Sequence, residues 1–129
     1  MGVKTMVLTD SILNTTKHML GVEPEYTHFD NDIINDINMA LNVLAQIGGV
    51  PDGTMISGVG TTYADILGED VSKAQMVKTY IYLKTKLVFD PPLSGSVSGI
   101  IEKQIAELEW RLNIQLDKSG ENNDGTNNS

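Results

Sequence analysis

Apolar residues recur at helical spacing in four segments of the chain, separated by glycine, proline and polar residues. The spacing predicts helices over 11–20, 30–47, from 70 or 72 to 89, and 97–116, because residues three and four positions apart share one helix face. A single helical turn capped by Thr61 or Thr62 is expected to run through Leu67 and end at Gly68. Residues 1–10 alternate weakly and could form an arm or a short strand. The pattern predicts an all-α fold, a small bundle of about four helices.

Residues that favour helix ends stand at the borders of these segments. Asp10 or Ser11 can cap the first helix, and Gly21 can end it. Asp30 and Asp32 suit the N-cap or first turn of the second helix, where backbone N–H groups and the helix dipole favour negative charge. The second helix is expected to end at the glycine pair 48–49.

The helix predicted over 70–89 is apolar over an unusually wide arc. A helix of this kind is surrounded on more than one side. It is therefore either the centre of the bundle or in contact with a partner as well. Its two adjacent stripes are Ala74, Val77, Ile81 and Val88, and Met76, Tyr80, Leu83 and Leu87.

Three segments lack helical periodicity. Residues 48–61 hold five glycines and a proline, and a loop of this length is usually functional or mobile. Residues 94–98 read as a linker. From 118 to 129 the chain is polar and has no large apolar residue, which predicts a disordered tail. The chain is thus expected to comprise one helical domain, 1–117, and a tail, 118–129.

The chain is acidic, with 17 Asp and Glu against 9 Lys and Arg and a net charge of −8. Duplex DNA binding draws most of its affinity from clustered basic side chains. Here the lysines are scattered and Arg111 is the single arginine. Non-specific nucleic-acid binding is therefore not expected, and an acidic surface would let DNA slide past without sticking.

Cysteine is absent, which excludes disulfides and thiolate metal ligands. No stretch approaches the roughly 20 apolar residues that a membrane helix needs. The first ten residues do not resemble a signal peptide. We expect synthesis in the cytosol and no membrane partner.

No candidate for catalysis or metal binding stands out. His18 and His28 are not at metal-ligand spacing and are expected to be surface or structural residues. Asp30, Asp32 and Asp36 do not continue into a calcium loop, and helix capping accounts for the first two. The pair Gly58–Gly60 lacks the third glycine of a nucleotide-binding fingerprint. The sequence predicts no enzyme activity and no cofactor.

Aromatic residues on the last two helices raise a separate question. Tyr80 is expected to be a core residue. Trp110 lies off the apolar stripe of the last helix, so it could border the core or anchor an interface, where Trp is enriched. The same alternatives apply to Tyr82.

The segments Tyr80–Lys84 and Leu87–Pro92, followed by Glu107–Asn113, resemble the head–tail connector, or adaptor, proteins of tailed bacteriophages. The resemblance extends over residues 11–116, through the second helix and the turn at Tyr63–Gly68. The run into Asp-Pro-Pro with Glu-Trp-Arg-Leu some fifteen residues later is its most specific part. The candidate interface residues are Tyr80, Tyr82, Asp90, Pro91, Pro92, Trp110 and Arg111.

The resemblance implies a helical, non-enzymatic subunit of the virion neck. Such subunits form a ring with copies of themselves, typically twelve. The ring docks below the portal protein, receives the stopper or tail-completion protein, and extends the channel through which DNA passes without specific binding. The polar tail after Asp117 has no counterpart in the family pattern.

Two other functions, a DNA-mimicking regulator and a small enzyme, fit the sequence less well. An acidic phage regulator that mimics DNA and blocks a host factor would need dense carboxylate arrays, whereas here Asn, Thr and Lys dilute the acids. A small enzyme would need a pocket with convergent titratable groups. Neither pattern is present in the sequence.

Overall fold

The computed structural model describes residues 8–128, with side chains described as far as Asn113. Five helices follow in order: α1 (Ile12–Leu20), α2 (Asp30–Gln46), α3 (Tyr63–Leu67), α4 (Val71–Phe89) and α5 (Gly95–Asn128). Within residues 8–128 the β-type pairing is limited to an isolated antiparallel bridge between Ser11 and Thr62. The predicted all-α bundle is confirmed.

Helix α4 is the centre of the bundle and contacts each of the other four helices. Its position explains why its apolar arc is so wide. Of the predicted stripe residues, Val88 is the exception because its side chain is exposed. The core around α4 is aliphatic apart from two tyrosines, and its largest fully buried side chains include Ile12, Leu13, Ile33, Ile37, Leu41, Leu44, Tyr63, Tyr80, Ile81 and Leu112.

Several helix ends agree with the predictions. The Ser11 hydroxyl accepts a hydrogen bond from the Asn14 N–H at 3.2 Å and caps α1. Gly21 ends α1 with φ of 83°, in the left-handed region that glycine adopts without strain. Thr62 and Asp65 form a reciprocal capping box at the start of α3. These local contacts fix where α1 and α3 begin.

The start of α2 agrees with the first-turn form of the prediction, because Asp30 and Asp32 lie in the first turn and neither is the N-cap residue. Phe29 is the N-cap residue, and its side chain makes no capping hydrogen bond. In the first turn, the negative charges of Asp30 and Asp32 interact favourably with the positive end of the helix dipole. Capping therefore does not fully account for Asp30, whose carboxylate binds Lys17 of α1 at 2.7 Å.

The predicted linker over 94–98 is wrong, because this segment is the first turn of α5. The Ser94 hydroxyl accepts hydrogen bonds from the N–H groups of Ser96 at 3.2 Å and Val97 at 3.4 Å. The Ser94 carbonyl accepts the N–H of Ser98 at 3.1 Å, which is the first helical hydrogen bond. Serine capping thus starts the helix at Gly95 despite the low helix propensity of Gly95 and Gly99.

The glycine-rich loop 48–61 is anchored at its centre. The Asn38 side-chain amide donates to the Ile56 carbonyl at 2.9 Å and accepts from the Ile56 N–H at 2.8 Å. Ile56 and Val50 are buried, whereas Met55 and Val59 are exposed. The loop is therefore held against α2 while it presents two apolar side chains to solvent.

Two predictions concern the ends of the chain. The proposed arm or strand over 1–10 falls mainly on residues 1–7, which lie outside the described residues. The last helix, predicted to end at 116, continues to Asn128, so the tail predicted over 118–129 falls largely on backbone that belongs to α5 and whose side chains are not described. The boundary at 117 between domain and tail stays a prediction.

Candidate interface

Tyr80 lies in the core and not on the surface. Its side chain is fully buried, and its hydroxyl donates a hydrogen bond to the Glu109 carboxylate at 2.7 Å. Burial is the main reason that the pKa of Tyr80 is raised, and the hydrogen bond and charge of Glu109 add to it. Tyr80 thus connects α4 to α5, and its prediction as a core residue is confirmed. In the single chain it has no exposed surface with which a partner could make contact.

Tyr82 and Arg111 come together in a groove between α1, α4 and α5. The groove has a volume of about 350 Å³ and an apolar lining that includes Met19 and Leu108. At its rim, Arg111 donates to the Glu107 carboxylate at 2.6 Å. Lys103, four residues before Glu107 on the same helix, forms no ion pair within the described residues. The groove combines an apolar floor with a few polar groups, which suits a protein partner.

Trp110 is exposed on the outer face of α5. It lies nine residues, or two and a half helical turns, after the buried Ile101, which places it on the opposite face of the helix. Its side chain is 63% exposed. The structure therefore excludes the alternative in which Trp110 borders the core, and its part in an interface stays a prediction.

Asp90, Pro91 and Pro92 form the corner between α4 and α5. Phe89 packs edge-on against Phe29 of α2, with ring centroids 5.3 Å apart, and holds the end of α4 in place. The Asp90 carboxylate accepts a hydrogen bond from Lys86 at 3.1 Å. Pro91 is exposed and Pro92 half-buried, so this corner is an accessible and sharply shaped part of the surface.

A second groove, the α2–α4 groove, runs along the antiparallel pair of α2 and α4. Its lining is mostly apolar, and two carboxylates, Asp32 and Asp36, stand at the end nearest Phe29. Burial and then the charge of Asp32 raise the pKa of Asp36. Neither carboxylate has an ion-pair partner within the described residues. The apolar part is lined by Met39, Ala40, Val43, Lys84, Leu87 and Val88.

The sequence interpretation missed the buried Lys17. Its ammonium group binds the Asp30 carboxylate at 2.7 Å and the carbonyls of Pro24 and Tyr26 at 2.9 Å each. One signal was available, because Lys17 lies four residues after Leu13 and so falls on the apolar face of α1. The contacts use all three donors and are structural, since they fix the connection between α1 and α2.

The residues considered for metal binding are not brought together into one group in the structure. The described residues contain no group of three or more His, Asp or Glu side chains able to hold a metal ion. His18 and His28 are both exposed, in line with their interpretation as surface residues. Of the three aspartates considered for calcium, Asp30 is neutralised by the ammonium group of Lys17. Asp32 and Asp36 have no ion-pair partner within the described residues. In the part of the chain that the structure describes, no helix is both long and apolar enough to span a membrane.

The chain matches the family model described as phage connector protein over residues 12–119. No curated protein and no solved structure matches it. The match begins at the first residue of α1 and covers the whole bundle, including both grooves and the corner at 90–92. Because it spans most of the 129 residues, the chain belongs to the phage connector protein family, a structural family of the phage neck.

Proposed function

We propose that this chain forms a ring in the virion neck, which joins the portal protein of the capsid to the stopper or tail-completion protein and extends the DNA channel. Membership of the phage connector family carries the proposal. The resemblance further implies about twelve copies in the ring and synthesis in the host cytoplasm. The candidate interface residues would thus serve assembly and not catalysis.

The surface of the bundle supports a role in assembly. Large apolar side chains are exposed at Met39, Val88, Leu93, Ile100 and Trp110. Isolated exposed apolar residues are ordinary in soluble proteins, but several on the faces of one small bundle favour protein contacts. A ring subunit needs two different faces, because each copy touches one neighbour on each side.

The charge of the chain supports a DNA channel without DNA affinity. A net charge of −8 repels phosphates, and the single arginine, Arg111, is paired with Glu107. Binding to DNA would require neutralising phosphates with clustered cations. An acidic ring would therefore guide DNA without retaining it.

The test is to mix the purified chain with the portal protein of the same phage and to measure the mass and shape of the product. We expect the chain alone to be a monomer or a weak oligomer, and a ring of it to form on the portal. A mixture in which the portal carries no copy of the chain would contradict the proposal. Recovery of a host nuclease, and no portal, from lysate would favour the DNA-mimic function instead.

A further inference from the structure

The beginning of α5 carries exposed apolar side chains that no other described residue covers. The outer stripe of α5 consists of Val97 and Ile100, three residues apart on one helix face, together with Leu93, which precedes the helix and its capping Ser94. All three are exposed, Leu93 fully and Ile100 at 57%.

The α2–α4 groove is the apolar depression best matched to this stripe. Met39 and Val88 border it and are 61% and 60% exposed, and Val43 and Leu87 lie between them. A groove between two helices receives the side chains of a third helix as knobs between ridges. The groove is open to solvent, and no segment of the described chain fills it.

Charges adjoin the two surfaces at the same spacing. On α5, Lys103 follows Ile100 by three residues, and on α2, Asp36 precedes Met39 by three residues. Three residues are a rise of about 4.5 Å in each helix. Lys103 and Asp36 both lack an ion-pair partner within the described residues. If α5 runs antiparallel to α2 of the other copy, the apolar residues of the two helices face each other and Lys103 reaches the end of the groove that holds Asp36.

We propose that the outer stripe of α5 lies in the α2–α4 groove of a second copy of this chain, with Lys103 beside Asp36. The inference rests on the proposed ring and names the two faces that build it. Because these faces are different, the contact is heterologous and each copy keeps one free face of each kind. Contacts of this kind continue from copy to copy until the ring closes.

The chain has no cysteine, so introduced cysteines report the contact directly. The double variant Met39→Cys with Ile100→Cys is treated with a short thiol cross-linker. We expect a ladder of covalent oligomers. A 1:1 mixture of the two single variants should stop at a heterodimer, because each copy carries one reactive face. The matched control is Met55→Cys with Ile100→Cys, which places a thiol at an equally exposed methionine in the loop.

A second measurement tests the charge pair. In the double-cysteine chain, Asp36→Lys should remove the ladder because Lys103 then faces a like charge. Adding Lys103→Glu should restore the ladder, and circular dichroism should show that every variant remains folded. Failure of Lys103→Glu to restore it would overturn the charge pairing on which the inference rests.

Cross-linking and neck assembly can fail separately. No ladder from the Met39–Ile100 variant, either alone or mixed with the portal protein, overturns the inference even if rings form on the portal, and so does an equal ladder from the Met55 control. A ladder from the chain alone with no ring on the portal supports the contact and contradicts the proposed neck function.

Discussion

Replacing Lys17 with methionine is the sharpest test of how the bundle is held together. Methionine keeps most of the apolar stem and removes the ammonium group. The change leaves the Asp30 carboxylate without its cation and the carbonyls of Pro24 and Tyr26 without their donor. We expect a large loss of stability, although the substituted side chain is itself more apolar.

The size of the loss follows from burial. Removing one partner of a buried ion pair costs about 3–5 kcal/mol. The Lys17 side chain is fully buried, but that of Asp30 is 22% exposed, so water can solvate part of the remaining charge. We therefore expect the lower end, about 3 kcal/mol, for Lys17→Met. For a domain of this size that lowers the midpoint of thermal unfolding by about 10 °C.

The assay is urea unfolding followed by circular dichroism, with Lys86→Met as the matched control. Lys86 also pairs with an aspartate, Asp90, at 3.1 Å, but both side chains are partly or largely exposed. An exposed pair contributes about 0.5 kcal/mol or less. If Lys17→Met loses no more stability than Lys86→Met, the reasoning from burial is refuted.

Three further predictions use the same purified chain. Asn38→Leu should lower the free energy of unfolding by about 1–2 kcal/mol, because both backbone groups of Ile56 lose their hydrogen-bond partner. Limited proteolysis should then cut the loop 48–61 faster. Unchanged cutting would count against Asn38 as the anchor of the loop. Unfolded tyrosine ionises near pH 10. The raised pKa of Tyr80 means that the folded chain keeps a proton which the unfolded chain loses, so stability should fall as pH rises above about 10. The stability of the Tyr80→Phe variant should fall less steeply with pH over that range, and a slope identical to that of the unchanged protein would refute this. Trp110→Ala should change the free energy of unfolding by less than about 0.5 kcal/mol in the same urea assay and yet impair binding to the portal. A large loss of stability, or unimpaired binding, would contradict the role of Trp110 as an exposed interface residue.

The helix pattern was predictable because it depends on local signals. Caps such as Ser11 and Thr62, and the left-handed Gly21, act within a few residues and can be recognised in the sequence. The segment at 94–98 was misjudged because Gly95 within it and Gly99 directly after it suggested a linker. The capping hydroxyl of Ser94 outweighed their low helix propensity.

The long-range contacts were not predictable from the sequence. Lys17 meets carbonyls seven and nine residues away, and Asn38 meets Ile56 across eighteen residues. Such pairs depend on how the helices pack, which periodicity does not report. The α2–α4 groove was missed for the same reason, since its residues come from two helices.

Electron microscopy of purified virion necks tests the central claim most directly. Our account predicts a ring of this chain directly below the portal, identified by extra density when a tag is fused to it. Necks that contain portal and tail proteins but no density for this chain would contradict its role as a connector subunit.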